Sequence, residues 1–66
     1  MKNRIKIERA ILDLTQDDLA KKIGVSRKTI NSIEKGHYVP STVLSLKLSE
    51  LFQKPVNEFF FLEDTD

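Results

Sequence analysis

The chain has no cysteine and no tryptophan, and it holds one histidine, one tyrosine, two glycines and two prolines in 66 residues. Without cysteine there is neither a disulfide nor a thiolate metal site, which fits a reducing compartment. A single histidine, His37, excludes a metal site built from several imidazoles and leaves a nucleophile–histidine pair without any recognisable context. No apolar run approaches the roughly 20 residues needed to cross a bilayer. The opening residues, Met1 to Ala10, alternate charge with aliphatics where a signal peptide would be continuously apolar. We therefore expect a cytoplasmic protein that makes no use of a membrane.

What is present is ordinary globular material, 39% apolar and 32% charged, too aliphatic for a disordered tail and too charged for a membrane protein. At 66 residues the chain lies near the lower limit at which one core holds a domain unaided. The expectation is one domain over residues 1–66, which a partner subunit would help. The net charge of +1 says little, but its distribution says more. From Lys21 to Tyr38 there are five positive residues (Lys21, Lys22, Arg27, Lys28, Lys35) against Glu34 alone, whereas Glu58 to Asp66 carries Glu58, Glu63, Asp64 and Asp66 with no positive residue. The first segment suits phosphates; the second would be repelled by them.

Hydrophobic periodicity divides the chain into five short helical segments, so the fold class reads as all-α. A first helix over Asn3 to Asp13 would line one face with Ile7, Ala10, Ile11 and Leu14. A second begins at Thr15, where Thr15 and Asp18 form a variant of the capping box and Asp17 adds negative charge at the positive helix end. Its inner face is Leu19, Ala20 and Ile23, and Gly24 supplies a left-handed stop with Val25 tucked beneath the turn. Ser26 caps a third helix at once. Two helices separated by about three residues with a glycine cross steeply, which is helix-turn-helix geometry over residues 15–35. The third helix, Arg27 to Lys35, buries Ile30 and Ile33 and turns Lys28, Asn31, Ser32 and Lys35 outward, with Arg27 at its flank. Ser41 caps a fourth helix that buries Leu44, Leu48, Leu51 and Phe52 but not Leu46, and Lys54-Pro55 ends it, with Pro55 opening a short fifth helix toward Phe59.

The register Thr15-Gln16-x-x-Leu19-Ala20-x-x-x-Gly24-Val25-Ser26-x-x-x-Ile30-x-x-x-Glu34-x-Gly36-x-x-x-Pro40 resembles the phage-repressor family of DNA-binding domains, that of lambda repressor and Cro. Lys47-Leu48, Phe52 and Val56-Asn57-Glu58-Phe59-Phe60 extend the likeness over almost the whole chain. The resemblance implies a five-helix lambda-repressor-like domain and a small transcriptional regulator of a bacterium or its phage. It implies that Arg27, Lys28 and Ser32 reach base edges, with Asn31 added on chemical grounds, and that Gln16 meets a phosphate. Arginine matches guanine O6 and N7 bidentately and asparagine matches adenine, whereas lysine makes a single-point contact. Two positive charges at the positive end of a helix dipole call for an anion there. Ser26, Thr29, Lys35, His37 and Tyr38 are assigned to phosphates, Thr29 reading more readily as a packing or capping residue than as a base reader. The likeness also implies an ion pair between Arg9 and Glu34, a structural one.

The run Phe59-Phe60-Phe61-Leu62 is surplus to a small core and reads as a partner surface within a dimerisation segment, residues 55–66; the alternative is one core residue followed by a frayed tail. A homodimer on a palindromic double-stranded DNA site follows from the family likeness. Some small family members pair their chain ends as strands, and Ile5 and Ile7 alternate with Phe60 and Leu62 in a way that permits it. No cofactor or small-molecule ligand is implied, and repression is expected ahead of activation. A protein-interaction module would want an apolar recognition surface, and a hydrolase would want a base, a nucleophile or a carboxylate cluster. Neither is what Arg27 to Lys35 or the scattered acids offer.

Overall fold

The computed structural model describes residues 1–66. In chain order it has strand β1 (Lys2–Asn3), helices α1 (Ile5–Ile11), α2 (Gln16–Ile23), α3 (Arg27–Glu34) and α4 (Thr42–Phe52), a single 3-10 turn (Val56–Glu58) and strand β2 (Phe60–Phe61). The fold is thus mostly helical, with four α-helices and a two-stranded antiparallel sheet in place of five helices. The expected fifth helix shrinks to the 3-10 turn because Phe59 leaves helical angles (φ −132°, ψ −7°) and the chain turns into β2.

The sheet pairs Lys2 with Phe61 and Asn3 with Phe60, so the N-terminal strand of the pair lies before α1, and Ile5 and Ile7 belong to the helix instead. Asn3 explains the boundary. Its Oδ1 accepts from the Ile5 backbone N–H at 3.2 Å, starting the helix there, and its Nδ2 donates to the Ile33 carbonyl at 2.8 Å. One side chain therefore ties the sheet, the start of α1 and the last turn of α3 together.

Helix starts follow local chemistry. Thr15 and Asp18 make the reciprocal capping box, with the Thr15 N–H donating to Asp18 at 3.0 Å and the Asp18 N–H donating to Thr15 Oγ1 at 3.0 Å. Ser26 accepts from the Thr29 N–H and Ser41 from the Leu44 N–H. Gly24, at φ 77°, ends α2 in the left-handed region with its N–H on the Ala20 carbonyl.

The core gathers Leu19, Ala20 and Ile23 of α2, Ile30 and Ile33 of α3, Leu44, Leu48 and Phe52 of α4, and Ile5, Phe59 and Phe60. Phe59 stands edge-on to Phe52 with ring centres 5.1 Å apart, which seals the C-terminal end of α4 against the turn. Leu51, expected inside, is half-buried and packs against this cluster.

Helix α1 departs most from its reading. It buries Ile5 and Glu8, while Ile7 is 50% and Ile11 64% exposed and Ala10 is exposed too. The buried carboxylate is satisfied by Lys54 Nζ at 2.7 Å, with Arg4 Nε at 3.7 Å. That partner lies 46 positions away, so periodicity within α1 carries no sign of it.

Candidate nucleic-acid interface

Helix α3 presents its outer face because Ile30 and Ile33, three apart, are both turned into the core. Arg27 and Lys28 occupy its first turn and are exposed; Asn31 and Ser32, one turn on, are half-buried. The side chains converge on two adjoining depressions. One is lined by Gln16, Arg27, Lys28 and Asn31; the other by Lys28, Thr29, Ser32, His37 and Tyr38. Lys28 borders both. Lys35 lies apart from them, beside Lys2, Asn3 and Gly36 at the far end of the helix. Ser26 borders neither depression: its hydroxyl accepts from the Thr29 N–H at 3.1 Å and lies 3.0 Å from Thr29 Oγ1.

The electrostatics of this face are one-sided. Arg27, Lys28 and Lys35 take part in no ion pair, whereas Lys21 is matched by Asp17 at 3.1 Å on the exposed side of α2. Two unneutralised cations thus stand in the first turn of α3, next to backbone N–H groups that carry the positive end of its dipole. Asp18, in the first turn of α2, is held below the usual carboxylate range, first by the backbone N–H of Thr15 and then by the Thr15 hydroxyl, so its charge serves the cap.

Beneath the face lies a polar layer. Arg9 grips Glu34 with two hydrogen bonds, Nε to Oε2 at 2.9 Å and Nη2 to Oε1 at 3.2 Å, and its Nη1 donates to the Leu14 carbonyl at 3.0 Å. Glu34 has 8% and Arg9 16% of the side chain exposed, so this fork locks α1 to the end of α3 away from bulk water. Gln16 is half-buried and turned toward this layer: its Nε2 donates to Glu34 Oε1 at 3.2 Å and to Asn31 Oδ1 at 3.4 Å. Both of its amide hydrogens are used within the protein, and the donor left for a phosphate at the start of α2 is a first-turn backbone N–H.

The aromatic end divides in two. Phe59 and Phe60 are buried in the chain's own core and are not a free surface, which corrects half of the expected partner run; Phe61 and Leu62 are 39% and 84% exposed. The split follows from geometry. Phe60 and Phe61 alternate across β2, and Phe59 joins the 3-10 turn to the strand. Sequence reasoning set Leu46 outside the buried face, as the structure has it, but passed over Val39 and Val43; all three are 60% or more exposed. The signal was there: Val43 and Leu46 are aliphatics on the side of α4 opposite Leu44 and Leu48.

A family of helix-turn-helix domains matches residues 5–59. A protein of Methanocaldococcus jannaschii described as an uncharacterized HTH-type transcriptional regulator is 50% identical over 66 residues, covering all of both chains. YgzD of Bacillus subtilis, described in the same words, is 42% identical over 64 residues and 97% of each chain. A protein of Archaeoglobus fulgidus with the same description is 39% identical over 66 residues, all of this chain and 93% of the other. A match over most of the chain, together with relatives aligned end to end, makes this protein a member of the helix-turn-helix family of the Cro type.

Proposed function

We propose that the protein binds double-stranded DNA sequence-specifically as a homodimer and represses transcription at a palindromic operator, without enzymatic chemistry and without a cofactor. The observation that carries this reading is the outer face of α3, where the unpaired Arg27 and Lys28 meet Gln16, Asn31, Thr29, Ser32, His37 and Tyr38 around two depressions. In the reading, Arg27, Lys28, Asn31 and Ser32 contact base edges, while Gln16 (through its backbone N–H), Ser26, Thr29, Lys35, His37 and Tyr38 contact phosphates. The similarity to proteins described as transcriptional regulators supports it. The polar and cationic character of the α3 face argues against an interaction module, whose contact surface would be apolar.

For the dimer, the surface best supported is the outward side of α4 with the chain before it, Val39, Val43 and Leu46. The occupant is a second copy. Lys47 and Glu50 flank the stripe and take part in no ion pair within the protomer, so a two-fold axis there can set each lysine against the glutamate of the other copy. Phe61 and Leu62, from the segment 55–66, add to the contact. Two recognition helices related in this way would enter successive turns of the major groove about 34 Å apart.

Selection of the purified protein against a random-sequence DNA pool tests the function. Enrichment of a palindrome, lost in an Arg27→Ala, Lys28→Ala variant, is the result expected. Weak, unselective binding that the variant leaves unchanged overturns it.

A further inference from the structure

We infer that Glu34 is a positioning residue for base recognition: through Gln16 it fixes which end of the Asn31 amide faces DNA, so that Asn31 presents donors and selects a base with a keto oxygen in the major groove. The inference rests on the DNA-binding reading above and deepens it.

The argument is one of polarity passed along hydrogen bonds. A carboxylate only accepts, and Glu34 Oε1 is held in place by Arg9 Nη2 at 3.2 Å. The group of Gln16 that meets Glu34 must therefore be its NH2, as the 3.2 Å contact from Nε2 has it. The second hydrogen of that NH2 points at Asn31, 3.4 Å away, and the atom of Asn31 able to receive it is Oδ1. Asn31 is then left with Nδ2, two donors, for whatever occupies the depression it shares with Arg27 and Lys28. A neutral amide alone could face either way, because its O and NH2 ends are nearly the same size. Here a nearly buried charge two hydrogen bonds away removes the choice.

The consequence is a specific selectivity. In the major groove guanine offers two acceptors, O6 and N7, and thymine one, O4, whereas adenine sets an amino group beside its N7 acceptor and cytosine presents an amino group alone. A donor-only Asn31 favours a keto base over an amino base at its position. This differs from the bidentate pairing with adenine that a free asparagine makes, which needs Oδ1 turned to the base.

Site selection by the full chain, the Asn31→Ala variant and the Gln16→Ala variant tests it, with the melting temperature of each recorded. The position whose preference vanishes in Asn31→Ala is the one Asn31 reads. There the unaltered protein is expected to favour guanine or thymine over adenine or cytosine by about tenfold or more. Gln16→Ala, which leaves the Arg9–Glu34 pair intact, is expected to erase that preference at that position alone, and Gln16→Lys, which carries only donors, to retain it. If Gln16→Ala weakens every sequence equally and keeps the preference, Gln16 is a plain affinity contact and the relay is overturned. A preference for adenine at the Asn31 position, or no position altered in Asn31→Ala, also overturns it while leaving DNA reading intact. Failure of the unaltered protein to select any sequence overturns the DNA reading itself.

Discussion

Lys54 Nζ lies 2.7 Å from Glu8 Oε1, joining the second residue beyond the end of α4 to the inward face of α1 and holding a carboxylate that is 3% exposed. The pair does in this small core what an aliphatic contact would do in a larger one. Its value is asymmetric, because removing one partner strands the other. Lys54→Met is expected to lower unfolding stability by about 2 kcal/mol, less than the ~3–5 kcal/mol of a fully enclosed pair because Lys54 keeps part of its surface in water. The double variant Glu8→Leu, Lys54→Met should regain most of that loss in urea unfolding. Equal damage in the single and double variants would show that the charge pair is not the cause.

The capping box makes stability depend on acidity. Asp18 is pulled below its ordinary range in the folded chain by the Thr15 N–H and hydroxyl, so its contribution is complete above the unfolded value of about 3.9 and is lost as pH falls through the depressed folded value. Urea midpoints followed from neutral pH down to about pH 2 should fall more steeply for the natural chain than for Asp18→Asn. Thr15→Ala removes the acceptor for the Asp18 N–H and is expected to cost about 1 kcal/mol at neutral pH.

Gln53 closes α4 in the left-handed region at φ 55°, a conformation in which a side chain is strained. Gln53→Gly is expected to stabilise the protein by up to about 1 kcal/mol. Gly24, at φ 77° on the last turn of α2, has the opposite response. Gly24→Ala should cost about 1–2 kcal/mol, and thermal melts of the two variants should move in opposite directions.

Leu46→Glu puts a charge in the middle of the proposed two-fold contact and is expected to give monomers by sedimentation equilibrium, with little effect on folding because Leu46 is 60% exposed in the protomer. Leu62→Glu, on the C-terminal segment, should weaken association less. A dimer untouched by Leu46→Glu and broken by Leu62→Glu would move the interface to the chain end.

The parts of the fold that read directly from sequence are those governed by near neighbours. Thr15, Ser26 and Ser41 sit three residues from the N–H groups they cap, and Gly24 carries its own conformational permission, so the limits of α2, the turn and the starts of α3 and α4 follow from local rules. The outward set of α3 likewise follows from Ile30 and Ile33 alone. Helix α1 did not read correctly. Its seven residues span two turns, and the aliphatic stripe Ile7, Ala10, Ile11 outscored the true inner pair Ile5 and Glu8, because a buried glutamate makes sense only once Lys54 is beside it. Asn3 was hidden for the same reason: its task is to meet Ile33, 30 positions on. In the candidate interface the residue types were legible, but the inward turn of Gln16 toward Glu34 and Asn31 was not, since it depends on how α2 crosses α3.

The most direct test of the account is the ratio of affinities for a selected operator and for an unrelated duplex of the same length, measured at two salt concentrations for the natural chain and for Arg27→Ala. The natural chain should bind both more weakly as salt rises while keeping a large preference for the operator. Arg27→Ala should cut that preference by about ten- to a hundredfold, the worth of one bidentate guanine contact. A ratio near one for the natural chain, or a large ratio that Arg27→Ala leaves unchanged, would contradict base reading by the first turn of α3.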